Sequence, residues 1–277
     1  MTIGNWLSTA TTELEAVGIG TARLDALVLL EDIVGKDRGQ LLAGPEAKLS
    51  PAEVAKLTNL LNRRVTHEPL AYVRGRTEFY GRNFVITPDV LEPRPESETM
   101  IELLIKLSQT TKNSLDWSKN IRLADVGSGS GALGITAKLE LPNIGVDLID
   151  IDEKALKVSK MNVDLFTISI NVIKSDLLAD NSNDYDILLC NLPYVPDDYQ
   201  INDAAMHEPR LAIFGGEDGL DIYRRLFNQL KNRSNKPLLI LTESLPPQHT
   251  ELELIAKSGG YVLYDKEDFI QVFISNQ

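Results

Sequence analysis

The 277-residue sequence predicts an α/β protein: a mostly parallel sheet wrapped by helices, with an antiparallel C-terminal strand and a small N-terminal helical domain in front. Three observations carry this. From about residue 98, short apolar runs (IRLADV, GVDLID, INVIK, YDILLC, PLLILT) alternate with helical stretches such as ALGITAKLELP and DEKALKVSKMNVDLF. That is the rhythm of a parallel sheet, in which each crossover helix returns the chain to the same end. The tail YVLYDKEDFIQVFISNQ breaks the rhythm with two strand-like runs around DKED and no helix between them, so it reads as a hairpin that adds an antiparallel strand. Residues 1 to about 70, by contrast, read as helices.

In chain order, TARLDALVLLEDIVG places Leu24, Leu27, Val28, Leu30 and Ile33 near 3.6-residue spacing and stops at Gly35. SPAEVAKLTNLLNRRV offers Ser50 as N-cap, Pro51 at the first helical position and Glu53 at the capping-box position. LAYVRGRTEFYGRNFVITPDV mixes aromatic and β-branched residues around Gly75 and Gly81, which predicts a β-hairpin, and PRPES follows as an ordered loop. The expected organisation is therefore a helical domain over 1–72, a hairpin linker over 73–97 and the α/β domain over 98–277.

With 43% hydrophobic and 25% charged residues, the composition is that of a globular protein and not of a disordered or disulfide-scaffold chain. No apolar run approaches the roughly 18 residues of a spanning helix, and no basic n-region precedes an apolar block at the N-terminus, so the expected location is cytoplasmic. The single cysteine, Cys190, excludes an internal disulfide, and it precedes Asn191 on a buried strand as a packed, inert thiol. His67, His207 and His249 have no zinc spacing. Residues 1–75 carry 8 Lys and Arg against 9 Asp and Glu, whereas residues 76–277 carry 20 against 31. A net charge of -11 over the larger part argues against coating nucleic acid, whose affinity rests on cations that neutralise phosphates.

Strand IRLADV runs into Gly127-Ser128-Gly129-Ser130-Gly131, and a helix opens at Ala132. Glycines there let the backbone turn tightly and approach a ligand, and the N–H groups of the helix start face it. The G-x-G-x-G spacing departs from the phosphate-binding G-x-G-x-x-G, with Gly134 as a looser third glycine. A turn without a ligand would fit the same loop. Asp150 favours a ligand: it ends the next strand, 19 residues after Gly131, where a carboxylate can accept from both hydroxyls of a ribose. Its neighbour Asp152 reads instead as the N-cap of DEKALKV. Asp176, after INVIK, stands where an adenine edge should lie, or is a loop carboxylate that caps nothing.

After YDILLC comes Asn191-Leu192-Pro193-Tyr194. Asn and Pro are common in turns that merely end a strand. The turn also suits alkylation of a planar NH2 group, whose delocalised lone pair makes it a poor nucleophile unless both N–H bonds are held by acceptors. Asn191 Oδ1 and the Leu192 carbonyl can be those acceptors. Pro193 biases Leu192 towards an extended conformation, and Tyr194 offers a face for stacking.

Together, DVGSGSG, Asp150 and NLPY resemble S-adenosylmethionine-dependent methyltransferases that modify amino groups, whose motif is Asn-Pro-Pro-Tyr. EPLAYVRGRTEFYGRNFVITPDVLEPRPESE (68–98), HEPRLAIFGGEDGLDIYR (207–224) and TARLDALVLLEDIVG bring the resemblance closer, to the HemK-type release-factor glutamine methyltransferases. The resemblance implies a Rossmann-like S-adenosylmethionine methyltransferase sheet, with Gly127, Ser128, Gly129, Ser130, Gly131 and Asp150 binding the cofactor and Asp176 and Leu177 near its adenine. It implies that Asn191, Leu192, Pro193 and Tyr194 are catalytic, with Asn191 beside the cofactor as well, and hold the glutamine of a Gly-Gly-Gln motif in peptide-chain release factors, while residues 1–72 grip the factor. Two departures stand out: Leu192 replaces the first proline of the motif, and TESLPPQHTELE keeps only Glu243 of the family's Glu-Ile-Gly continuation. Glu208-Pro209-Arg210 reads either as ordering the loop over the substrate or as a surface ion pair, and Arg94 and Glu96 carry the same two readings. The turn by itself leaves other targets open: a ribosomal-protein glutamine, the N6 of adenine, or a non-catalytic nucleotide-binding module. No direct nucleic-acid or membrane partner and no metal is expected.

Overall fold

The computed structural model describes residues 1–110, 115–201 and 203–276. By their contacts the residues form two compact units, Met1–Arg76 with Asn202–His207, and Thr77–Ile201 with Glu208–Gln277.

Among the described residues the first unit holds five α-helices: α1 (Ile3–Ala16), α2 (Ala22–Val34), α3 (Arg38–Ala43), α4 (Pro51–Arg64) and α5 (Leu70–Arg74). At α4 the Ser50 hydroxyl accepts from Glu53 N while Glu53 accepts from Ser50 N, so two donors at the helix start are satisfied reciprocally. On α2 the buried stripe is Ala22, Ala26, Leu27, Leu29 and Leu30, whereas Leu24 is 46% exposed, so it falls outside the apolar face its spacing suggested. Asp25 takes a buried place beside that stripe because Arg64 Nε donates to its Oδ2 at 2.7 Å. Leu70–Arg74 is a helical turn and not the first arm of a hairpin. Pro69 precedes it, Gly75 closes it in a left-handed conformation, and Ala71, Tyr72 and Val73 are all buried, so local geometry and burial override the strand preference of the side chains.

The hairpin consists of β1 (Arg76–Phe79) and β2 (Arg82–Val85), joined by Tyr80-Gly81 with both residues at positive φ, the two-residue turn that matches strand twist. Phe79 and Phe84 enter the core of the second unit. There follow α6 (Glu98–Ser108), β3 (Arg122–Val126), α7 (Ala132–Glu140), β4 (Gly145–Asp150), α8 (Glu153–Phe166), β5 (Asn171–Lys174), β6 (Ile187–Cys190), α9 (Asp221–Lys231), β7 (Leu239–Glu243), α10 (His249–Ser258), β8 (Tyr261–Glu267) and β9 (Ile270–Ser275).

The strand order is β5-β4-β3-β6-β7-β9-β8. β3 to β7 pair in parallel, and β9 runs antiparallel between β7 and β8. Successive residues feed two apolar layers: Leu123, Leu148 and Leu189 on one face, Ala124, Ile149 and Leu188 on the other. That is why these strands read as continuous apolar runs. The strand order reverses between β3 and β6, and a crevice opens at the carboxyl ends of strands where it does so. Among the described residues, no helix is long and apolar enough to cross a membrane.

Candidate active site

A cavity lies at that reversal, lined by Gly127 to Ser130, Asp150, Asp176, Leu177 and Asn191 to Pro193, with Leu91 to Arg94, Pro209, Leu211 and Ala212 among its further walls; Gly131 and Tyr194 flank these segments without lining it. The loop after β3 is tied to its surroundings. Gly127 N and Ser128 N both donate to Ile149 O, and the carbonyls of Gly129 and Ser130 accept from Ser159 Oγ at 2.7 Å and Asn162 Nδ2 at 2.9 Å. Gly129 has φ +55°, and a Cβ there would project into open space, so the backbone itself can meet a ligand. Gly134 has a packing role: a Cβ there would fall 2.4 Å from Leu148 Cδ2, so α7 can lie close to the sheet only with glycine at this position.

Asp150 accepts from Gly129 N on one oxygen and Asp152 N on the other, each at 2.9 Å. Burial pushes its carboxyl above the ordinary range, against the pull of the Asp152, Gly129 and Ile151 N–H groups. Asp152 caps α8 by accepting from Lys154 N at 2.8 Å. Asp125, behind the loop, is buried with Gly134 N donating to it at 2.8 Å. Desolvation raises its pKa to about 7. Leu177 is held at φ +55°, uncommon for a residue with a Cβ, and lines the cavity. Asp176 pairs with Arg225 of α9, while Gln229 on the same helix accepts from Leu178 N at 2.9 Å. Ser128 Oγ is buried without a partner among the described residues.

Across the cavity, Asn191 Nδ2 donates to Ser97 Oγ at 3.0 Å, and Ser97 Oγ donates to Glu243 Oε2 at 2.6 Å. The Tyr194 hydroxyl donates to Glu243 Oε1 at 3.0 Å. Neither Asn191 Oδ1 nor the Leu192 carbonyl accepts a hydrogen bond from any described residue. Gln248 Nε2 fixes the Tyr194 carbonyl at 2.7 Å, and Val195 N donates to Ile213 O at 3.0 Å, so the backbone leaving the turn is held too. The Leu192 side chain is buried against Gly127. Burial raises the Glu243 carboxyl, and burial beside Glu243 raises the Tyr194 phenol. The Cys190 thiol is fully buried and likewise pushed up, which leaves it inert.

Glu208 is buried. Its carboxylate takes Arg94 Nη2 at 2.5 Å and Glu92 N at 3.4 Å, so it ties the 92–94 and 208–210 segments on the cavity wall, and a surface ion pair is not what it forms. Sequence spacing did not single out Ser97 or Gln248, and it named Glu243 only as a retained family residue. Hydrogen-bonding side chains far apart in the chain leave no periodic signal. Among the described residues there is no cluster of His, Cys, Asp and Glu that could hold a metal.

Two family models match the chain, the PrmC N-terminal domain over residues 5–75 and the methyltransferase small domain over residues 103–208. The release factor glutamine methyltransferase of Coxiella burnetii is 33% identical over 243 residues, which span 87% of this chain and 85% of that protein. That of Koribacter versatilis is 34% identical over 238 residues, 83% and 81% of the two chains. In fold the chain is similar to a T. thermophilus 16S rRNA N2 G1207 methyltransferase solved with AdoMet and guanosine, with a TM-score of 0.52 and 15% identity over 73% of this chain and 50% of that one. With a third of its residues shared over most of both lengths, and both parts of the chain matched by family models, the protein belongs to the release factor glutamine methyltransferase family.

Proposed function

We propose that the protein transfers a methyl group from S-adenosylmethionine to the side-chain amide nitrogen of the glutamine in the Gly-Gly-Gln motif of peptide-chain release factors, in the cytoplasm. One observation supports this most: two acceptors on the turn after β6, Asn191 Oδ1 and the Leu192 carbonyl, take no hydrogen bond from any described residue, while the Asn191 NH2, the Leu192 N–H and the Tyr194 hydroxyl all donate to groups that fix the turn. Two acceptors are what an NH2 group with two N–H bonds needs.

The opposite wall fits the cofactor. The space a Cβ would fill at Gly129, the orphaned buried hydroxyl of Ser128 and the carboxylate of Asp150 form a cradle with a polar end for a nucleoside. In this reading Gly127 to Gly131 follow the backbone of the ligand, Asp150 takes the ribose hydroxyls, and Asp176 and Leu177 border the adenine. When bound, S-adenosylmethionine supplies an electrophilic methyl on a positively charged sulfur.

The protein contributes alignment. Asn191 and Leu192 hold the two N–H bonds in a plane, Pro193 stiffens the turn, and the Tyr194 ring flanks the amide. The nitrogen lone pair is thereby directed out of that plane. No strong general base is needed, because the amide proton becomes acidic once the nitrogen is alkylated. We assign recognition of the factor to residues 1–72. The net charge of -11 over residues 76–277 weighs against nucleic acid as the target.

The test offers labelled S-adenosylmethionine with release factor, ribosomal protein and DNA in separate reactions. Label is expected on the release-factor glutamine alone. Asn191→Ala should lower turnover by ~100-fold with cofactor affinity little changed, because the lost acceptor matters only when the amide is aligned. Label on DNA or ribosomal protein in preference to the factor would refute the assignment.

A further inference from the structure

We propose that Glu243 is a positioning residue that decides which end of the Asn191 amide faces the substrate, acting through the Ser97 hydroxyl. The proposal rests on the glutamine-methylation reading above. The two ends of a carboxamide are nearly equal in size, so packing alone does not choose between them, and the choice falls to hydrogen-bond polarity. A carboxylate only accepts. Glu243 ends β7 almost fully buried, and its two oxygens draw the single proton of Ser97 at 2.6 Å and that of Tyr194 at 3.0 Å. With its proton given away, Ser97 Oγ can only accept, so the group 3.0 Å from it must be the Asn191 NH2. Asn191 Oδ1 is left for the substrate. The same carboxylate anchors Tyr194, so one buried charge sets both ends of the four-residue turn.

The Asn191 side chain also interacts with the Glu243 carboxylate directly, which favours the same end of the amide. Tyr223 OH, also in the buried cluster, donates within reach of the carbonyls of Cys190 and Glu243, at 2.8 and 2.6 Å, and touches only the backbone of the turn. If an amide replaced the carboxylate, its NH2 could donate to Ser97. Ser97 would then donate to Asn191, and the Asn191 amide would reverse. Its NH2 would meet the substrate NH2, donor against donor.

Glu243→Gln keeps size and shape, so it isolates polarity. Its expected effect is a drop in kcat on intact release factor of ~30-fold, the worth of one charged hydrogen bond, with cofactor affinity by calorimetry and melting temperature close to those of the parent. Ser97→Ala breaks the same chain at its middle and should lose a smaller factor, because the direct interaction of Asn191 with Glu243 remains. The double variant should be no slower than the slower single variant, because both act on one orientation. The side-chain NH2 resonances of Asn191 in a 15N-labelled sample should shift in Glu243→Gln without substrate present, a response that packing defects elsewhere do not require.

Losses that multiply in the double variant, or Asn191 resonances unmoved in both single variants, overturn the proposal. So does Glu243→Gln turning over within twofold of the parent. If Glu243→Gln fails to fold, Ser97→Ala decides by the same resonances and the same kcat. A parent protein that does not label release factor overturns the underlying reading itself, which separates the two failures.

Discussion

Asp150 offers about four lone-pair directions, and although backbone N–H groups of Gly129, Asp152 and Ile151 all act on it, capacity remains for a ribose. Asp150→Ala should weaken S-adenosylmethionine binding at least about tenfold, since charged hydrogen bonds are each worth ~1.5–3 kcal/mol. Calorimetry checks this, and unchanged affinity would move the ribose to another carboxylate. Leu192 gives the second test at this scale. Its N–H meets Tyr223 OH at a long 3.4 Å, so Leu192→Pro gives up little, and turnover should stay within about tenfold of the parent in single-turnover assays. A complete loss would make the leucine side chain a substrate contact. The places of Asp150 and Asn191 on the cavity wall were legible in the sequence because one ends and the other directly follows a clear apolar strand. Ser97 was not: its partners Asn191 and Glu243 stand 94 and 146 residues away, and no local rule links them.

At the scale of elements, a buried ion pair joins α2 to α4. Asp25 and Arg64 are both mostly covered, and removing one partner strands the other charge. Asp25→Ala should therefore cost ~3–5 kcal/mol in a urea titration of the first unit's transition, far more than an exposed pair would. The capping box of α4 could be read directly, since a cap depends on a few adjacent residues, whereas the hairpin was legible only as lying around Gly75 and Gly81, and its turn at Tyr80-Gly81 needed the structure. The α2 stripe could be read only in part. A heptad-like count cannot know that a distant arginine will draw Asp25 inward while Leu24 turns out. Leu70–Arg74 shows the same limit, because its aromatic and β-branched residues suit either state and burial decides.

For the whole molecule, the alternation of strands and helices was enough to predict a parallel sheet with an antiparallel end, because that pattern is repeated over many residues. The order of the strands, and with it the crevice between β3 and β6, needed the structure. Global stability should carry the mark of the buried carboxyl on β3. Asp125 titrates near 7 in the folded chain, well above its unfolded value, so the folded state holds that proton more tightly. Its contribution is complete below the unfolded pKa of about 3.9 and is lost as pH rises through about 7. Asp125→Asn cannot ionise, so its melting temperature relative to the parent should be higher at pH 8 than at pH 5, measured without cofactor. An equal offset at both pH values would show that the carboxyl titrates normally.

The bond from Ser97 to Glu243 spans 146 residues, whereas Gly127 to Gly131, Asp150 and Leu177 lie within about fifty residues of one another. Closing a long loop is slow relative to closing short ones. The nucleoside wall can thus take shape early, while the Asn191 amide acquires its orientation only after β7 has joined the sheet. A partly folded molecule that captures cofactor would still be unable to modify a partner, so catalysis reports the finished fold in a way that cofactor binding does not.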